Sequence, residues 1–200
     1  MYTALRATSK TLAEYLRQQL KVALPSLFDP GSGGTMVVSL NTPQEMTDNQ
    51  TEGLSVWLYR VIRDEERLNA PPERISNNQL KTPPLPMRLH YLVTPIVNSR
   101  TVTSPETEQA ILGKVLQAFY DHSTFAGVDL QDDFSGTILE LRVRLEPLSL
   151  EETTRIYDAL EGPYRLSVSY EVSVVYIYSA IEPESLSPVQ VVMPEYGLIV

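Results

Sequence analysis

The run Leu54 to Ile62 constrains this chain more than any other segment. Its β-branched and aromatic residues favour a strand, with Leu54, Val56 and Leu58 on one side and Trp57, Tyr59 and Val61 on the other. Both sides are apolar, so such a strand belongs inside a sheet covered on both faces, not at its edge. The rest of the chain must supply its neighbours and its cover.

Three further runs qualify as neighbours. Leu85 to Thr94 alternates Met87, Leu89, Tyr91 and Val93 against Arg88, His90 and Leu92. Thr137 to Glu146 sets Leu139, Leu141, Val143 and Leu145 toward a core, with Glu140, Arg142, Arg144 and Glu146 opposite, where unlike charges can pair across strands. Arg165 to Ser179 reads as one long strand, with Val168, Tyr170, Val172, Val174, Tyr176 and Tyr178 on one face and Ser167, Ser169, Glu171 and Ser173 on the other. Thr35 to Leu40 is a shorter strand.

The cover is helical. Leu5, Leu12, Leu16, Leu20 and Leu24 share one side of a helix from about Thr3 to Leu24, which Pro25 ends. Ser104-Pro105-Glu106 starts a second helix, with Leu112, Val115, Leu116 and Phe119 on its core side. Ser149 to Glu152 is a capping box opening a short third helix, closed by Gly162-Pro163. Asn41 to Glu52 and Arg63 to Pro86 read as loops, and Asp121 to Gly136 as an acidic connection. The expected fold is α+β, a mixed and mostly antiparallel sheet with helices on one face, in one domain over 1–180 followed by an extended tail over 181–200.

Chemistry is hard to find in this pattern. The net charge of -9 opposes nucleic-acid binding, which needs Lys and Arg against phosphates. With no cysteine there is no disulfide framework, thiolate metal site or cysteine nucleophile, and the cytoplasm is the expected compartment. The opening residues lack the order of a secretory signal, and no apolar stretch approaches the ~20 residues of a membrane helix. His90 and His122 belong to no metal-ligand spacing, and Asp129, Asp132 and Asp133 lack the order of a calcium loop. Gly31-Ser32-Gly33-Gly34 leads from helix into strand, the reverse of a phosphate loop. No cofactor and no catalytic residue is expected. The competing reading is a small-ligand enzyme assembled from His90, Asp121 and Arg142.

Contact, in contrast, is well provided for. There are 11 tyrosines, a residue at home in cores and interfaces alike. Arg6, Lys10, Arg17 and Lys21 line a second face of the first helix, while no Lys or Arg follows Arg165. Solvation explains such asymmetry in general, and a head-to-tail ring would turn it into two matching surfaces. In the tail, Val189, Val191 and Met193 alternate as a strand would, and the sequence closes on Leu198-Ile199-Val200. These residues are expected either on a neighbouring subunit, as an added strand, or at the edge of their own sheet.

Three stretches together resemble one family. They are Pro83 to Pro95 with its Leu89-His90-Tyr91-Leu92, the helix Glu108 to Asp121, and the late strand Leu166 to Tyr176. Their order and spacing resemble the N-terminal domain of the cap or tail-terminator proteins of extracellular contractile injection systems, such as the antifeeding prophage and Photorhabdus virulence cassettes. Phe119-Tyr120-Asp121-His122 departs slightly from the usual helix end. The resemblance implies a structural, non-enzymatic subunit of a phage tail-like particle. It implies further a homohexameric ring that closes the inner tube and the sheath, alone or beside a second cap paralogue. It brings no catalytic residue with it. A neck or tail-completion protein of a contractile phage is the alternative within the same class.

Overall fold

In the computed structural model, which describes residues 2–68, 71–76, 79–98, 104–182 and 184–185, the doubly apolar run lies inside a sheet. It forms β2 (Gly53–Arg63), between the short β1 (Val37–Ser39) and β5 (Leu85–Ile96). With β6 (Thr124–Ala126), β7 (Glu140–Glu146) and β8 (Val168–Ile177), the strand order is β1-β2-β5-β8-β7-β6. β1 is parallel to β2, and the other neighbours in this sheet are antiparallel. The α+β class and the mixed, mostly antiparallel sheet are as the sequence implies.

Two long helices, α1 (Ala4–Ala23) and α4 (Ser104–Asp121), cover one face of that sheet. Leu12, Leu16 and Leu20 of α1 and Ile111, Val115 and Phe119 of α4 meet the strand residues Val56, Tyr91 and Val172 in one core. Each fully buried aliphatic side chain there contributes about 1.5–3 kcal/mol. Tyr91 is completely buried and pairs its hydroxyl with Ser9 Oγ at 2.8 Å, which fixes α1 over the middle of the sheet. Burial pushes the Tyr91 hydroxyl far up, so it stays neutral.

The shorter α5 (Leu150–Ala159) stands apart from these two. Its Ser149 cap accepts from Glu152 N at 3.2 Å while Glu152 accepts from Ser149 N at 2.9 Å, the reciprocal box that the sequence announced. Tyr157 of α5 meets Thr94 Oγ1 at 3.2 Å. Thr94 alternates with Tyr91 and Val93, so α5 reaches the sheet from the far side.

Several expectations need correction. A bulge between Leu58 and Arg60 returns Val61 to the row of Leu58, opposite Leu89. A second shift leaves β8 one residue longer than β5 between Val172 and Val175. Val175 and Ile177 therefore join the core, and Tyr176 turns to the polar face with Ser169 and Glu171. Leu145, expected inside, is 52% exposed. The loop 41–52 contains α3 (Pro43–Asp48), whose Thr42 and Glu45 form another capping box. The loop 63–86 contains β3 (Glu73–Ser76) and β4 (Gln79–Lys81), which pair with each other in a small second sheet. The start of the expected tail adds β9 (Glu184–Ser185) to β4. Four residues, Pro25–Phe28, form the short helix α2. The tail residues Val189, Val191, Met193, Leu198, Ile199 and Val200 lie outside the described residues.

Two glycines give opposite expectations. Gly53 has φ +140, and a Cβ there would lie 1.9 Å from Val37 O, against the backbone of the parallel partner strand. Gly53→Ala should destabilise the protein by at least about 2 kcal/mol in denaturant unfolding. Gly113 lies inside α4 with open space around it. Gly113→Ala should stabilise by roughly 0.5–1 kcal/mol.

Candidate functional site

The basic row of α1 is spent largely on partners within the chain. Arg6 Nε donates to Asp132 Oδ2 at 2.7 Å, and Lys10 Nζ lies 3.1 Å from the same oxygen. Asp132 sits at φ +57, and the hydrogen bond from Lys10 with the help of Arg6 holds its carboxyl below the ordinary aspartate range despite the opposing effect of burial. Lys21 Nζ is 3.3 Å from Asp29. Arg17 pairs with Glu14 and also donates to Val38 O on the outer side of β1 at 3.3 Å. All four cations stay about half exposed, from 50% to 56%, so internal pairing leaves them open to a partner.

The acidic segment 121–136 folds onto the same helix. Gln131 N donates to Thr11 Oγ1 at 3.0 Å. His122 Nε2 meets Asp129 Oδ2 at 3.0 Å, and its ring lies against Tyr15 and Phe125 at 5.2 and 4.9 Å between centroids. Asp129, Asp132 and Asp133 are thus divided between a histidine and the α1 cations, and do not converge on one point.

On the far face of the sheet the polar side chains form several local clusters. Glu146 Oε2 accepts from His90 Nδ1 at 2.9 Å, from Ser169 Oγ at 2.7 Å and from Tyr59 OH at 3.3 Å. Arg144 donates to Glu171 at 2.8 Å, the cross-strand pairing that the alternation of β7 suggested. Arg88 donates to Asp64 at 2.9 Å and lies 3.3 Å from Glu66. Beside the Glu146 cluster, Asp64, Glu66, Glu140 and Glu171 line an open hollow of about 730 Å³ together with Arg67, Arg88, Arg142 and Arg144. The two signs balance, and the hollow has no net pull on a charged ligand.

The Glu146 cluster contains a serine, a histidine and a glutamate, but in the wrong order for nucleophilic catalysis. A serine is activated when the histidine takes its proton and the carboxylate orients the histidine. Here Ser169 and His90 both end on the same carboxylate oxygen, and His90 Nε2 is buried with no hydrogen-bond partner among the described residues. His90, Asp121 and Arg142 are not joined either, since His90 goes to Glu146 and Arg142 Nε to Glu140 at 2.7 Å. Among the described residues no group of three or more His, Asp or Glu is placed to hold a metal ion, and no helix is long and apolar enough to cross a membrane. Asp64 went unnoticed in the sequence because its partner Arg88 is 24 positions away on a different element.

Comparison with known proteins follows the same direction. Residues 7–190 match the family model described as the Pvc16 N-terminal domain. Among curated proteins none matches the chain. Two cryo-EM structures are similar in fold. One is the sheath/tube terminator of an extracellular contractile injection system, PVC, in the extended state, with TM-score 0.58, 17% identity, and coverage of 93% of this chain and 63% of that one. The other is the tube-terminating cap of the anti-feeding prophage, with TM-score 0.60, 17% identity, and coverage of 98% and 61%. The chain thus spans about three fifths of the length of each.

Glu146 provides a test of the polar network. Burial alone would raise its carboxyl, but the hydrogen bonds from His90 and Ser169 outweigh this and leave it below the usual glutamate value. A lowered folded-state pKa contributes stability above the unfolded value, roughly pH 4.3, and loses it as pH falls through the folded value. Glu146→Gln should therefore lower the melting temperature at pH 7, and its deficit relative to the parent should shrink as pH drops below about 4.

Proposed function

Because the chain belongs to the family of the Pvc16 N-terminal domain, we propose that it is a structural cap subunit that terminates the tube and sheath of a contractile injection particle. The observation that carries this reading is the family match over residues 7–190, together with a fold shared with a terminator and a cap over almost the whole chain. The polar chemistry supports it from another side. The buried histidine, the serine and the carboxylates engage each other within the chain, which suits a rigid body that works through its surface.

In this reading the subunit is non-enzymatic and forms a homohexameric ring, assembled in the cytoplasm. The ring sits on the last turn of inner tube and sheath. The domain of this reading spans residues 1–180. The exposed cations of α1 and the apolar tail residues Val189, Val191, Met193, Leu198, Ile199 and Val200 supply contacts to the neighbouring subunit, tube or sheath. Half-exposed ion pairs such as Lys21–Asp29 are weak alone and can be exchanged for intermolecular ones at little cost.

Deleting the gene should give particles of irregular length or with unstable sheaths, as seen by negative-stain microscopy. Complementation in trans should restore a narrow length distribution. Particles of uniform normal length in the deletion strain would refute the terminator role.

A further inference from the structure

The helix α5 spends its polar bonds on itself. Its capping box and the Glu151–Arg155 pair at 2.7 Å both lie within the helix and its cap. Thr153 and Thr154 donate one turn back, to Ser149 O at 3.0 Å and Leu150 O at 2.8 Å. Of its ten residues only Thr153 and Tyr157 are buried. We infer, independently of the ring reading, that α5 is a lid, which lifts from the far face of the sheet as one unit while the rest of the fold stays closed.

The chain is pinned on either side of this helix. Before it, Glu146 accepts from His90, Ser169 and Tyr59. After it, Arg165 donates to Thr47 Oγ1 at 3.2 Å and lies 4.0 Å from Glu108. Between these two anchors the helix is joined through the exposed Pro147 at one end and through Gly162 and the exposed Pro163 at the other. Pro147 has no N–H to give to a neighbouring strand, so the chain leaves β7 there.

One side chain ties α5 to the sheet. Among the described residues, Tyr157 is the α5 residue whose side chain hydrogen-bonds outside the helix and its cap. It is 3% exposed, and its hydroxyl lies 3.2 Å from Thr94 Oγ1, with Ser167 bonding the same group. Its ring is 5.7 Å from that of Tyr164, which is itself 53% exposed. Ile156 and Leu160, on the same side of the helix, are half-buried. α1 and α4 differ from this, since each sinks a row of fully buried apolar side chains into the common core. Elements with so little buried apolar surface open locally, at a free energy well below that of global unfolding, and lids are drawn from them. Lifting Tyr157 uncovers Thr94, while His90 on the same strand face keeps the cover of Glu146.

Native-state hydrogen exchange of the full chain, resolved by residue and run where closing outpaces exchange, tests the lid. The amides of Thr153 to Leu160 are expected to share one opening equilibrium that low urea hardly changes. They should exchange at least ~100-fold faster than those of β5. Gly113→Ala, the stabilising change in α4, should slow the β5 amides roughly 2- to 5-fold and leave those of α5 untouched, because the lid opens with α4 in place. Tyr157→Phe removes one hydroxyl and should speed α5 exchange by roughly 2- to 10-fold. Amides of α5 that slow in step with β5 in Gly113→Ala would overturn the lid, since the helix would then open only when the whole chain unfolds. Rates that fall from each end of α5 inward, the mark of fraying, would overturn it as well. An α5 rate unmoved by Tyr157→Phe would overturn the latch assigned to that tyrosine.

Discussion

Burial of β5 on both faces is the constraint from which the rest of the structure follows. Leu89, Tyr91, Leu92, Val93 and Ile96 are at most 1% exposed, and His90 and Thr94 are nearly as deep. A strand this deep needs a partner along each edge and cover on each face. β2 and β8 supply the edges. The rows of α1 and α4 cover the face of Tyr91, and Tyr157 of α5 with the Glu146 network covers that of His90 and Thr94. The polar groups on the second face are stable there because each carboxylate has a cation or several donors.

The long elements were legible because their periodicity extends over enough residues to identify a buried side. α1 and α4 came within a residue or two of their observed limits, as did the starts of β2 and β5. The faces beyond the two bulges were not legible. An extra residue in one strand changes which side chains face the core without changing the run of β-formers, so Tyr176 and Val175 exchange roles. The β3–β4 hairpin buries too little to leave a pattern, since Arg74, Ile75 and Ser76 are exposed. α3 was hidden among polar residues, although Thr42-Pro43-Gln44-Glu45 carried a readable cap signal.

The candidate surfaces divide along the same line. The charged row of β7 could be read from alternation, and its pairing with Glu171 follows from the ladder. The partners of the α1 cations could not, because Asp132 lies 126 positions from Arg6 and approaches it only when the 132–134 turn packs on the helix. The outer side of β7 beyond Val143 is left without a strand among the described residues because β6 is three residues long, a length set by the turn at Gly127 more than by any hydrophobic pattern. Such features arise from where elements stop, which short-range sequence signals define poorly.

Location of the chain on an assembled particle tests the account most directly. Particles carrying a gold-labelled version of the chain should show label at one end only, on the tip of the tube and sheath, in a single cluster. Label spread along the sheath, or its absence from purified particles, would contradict a terminating role.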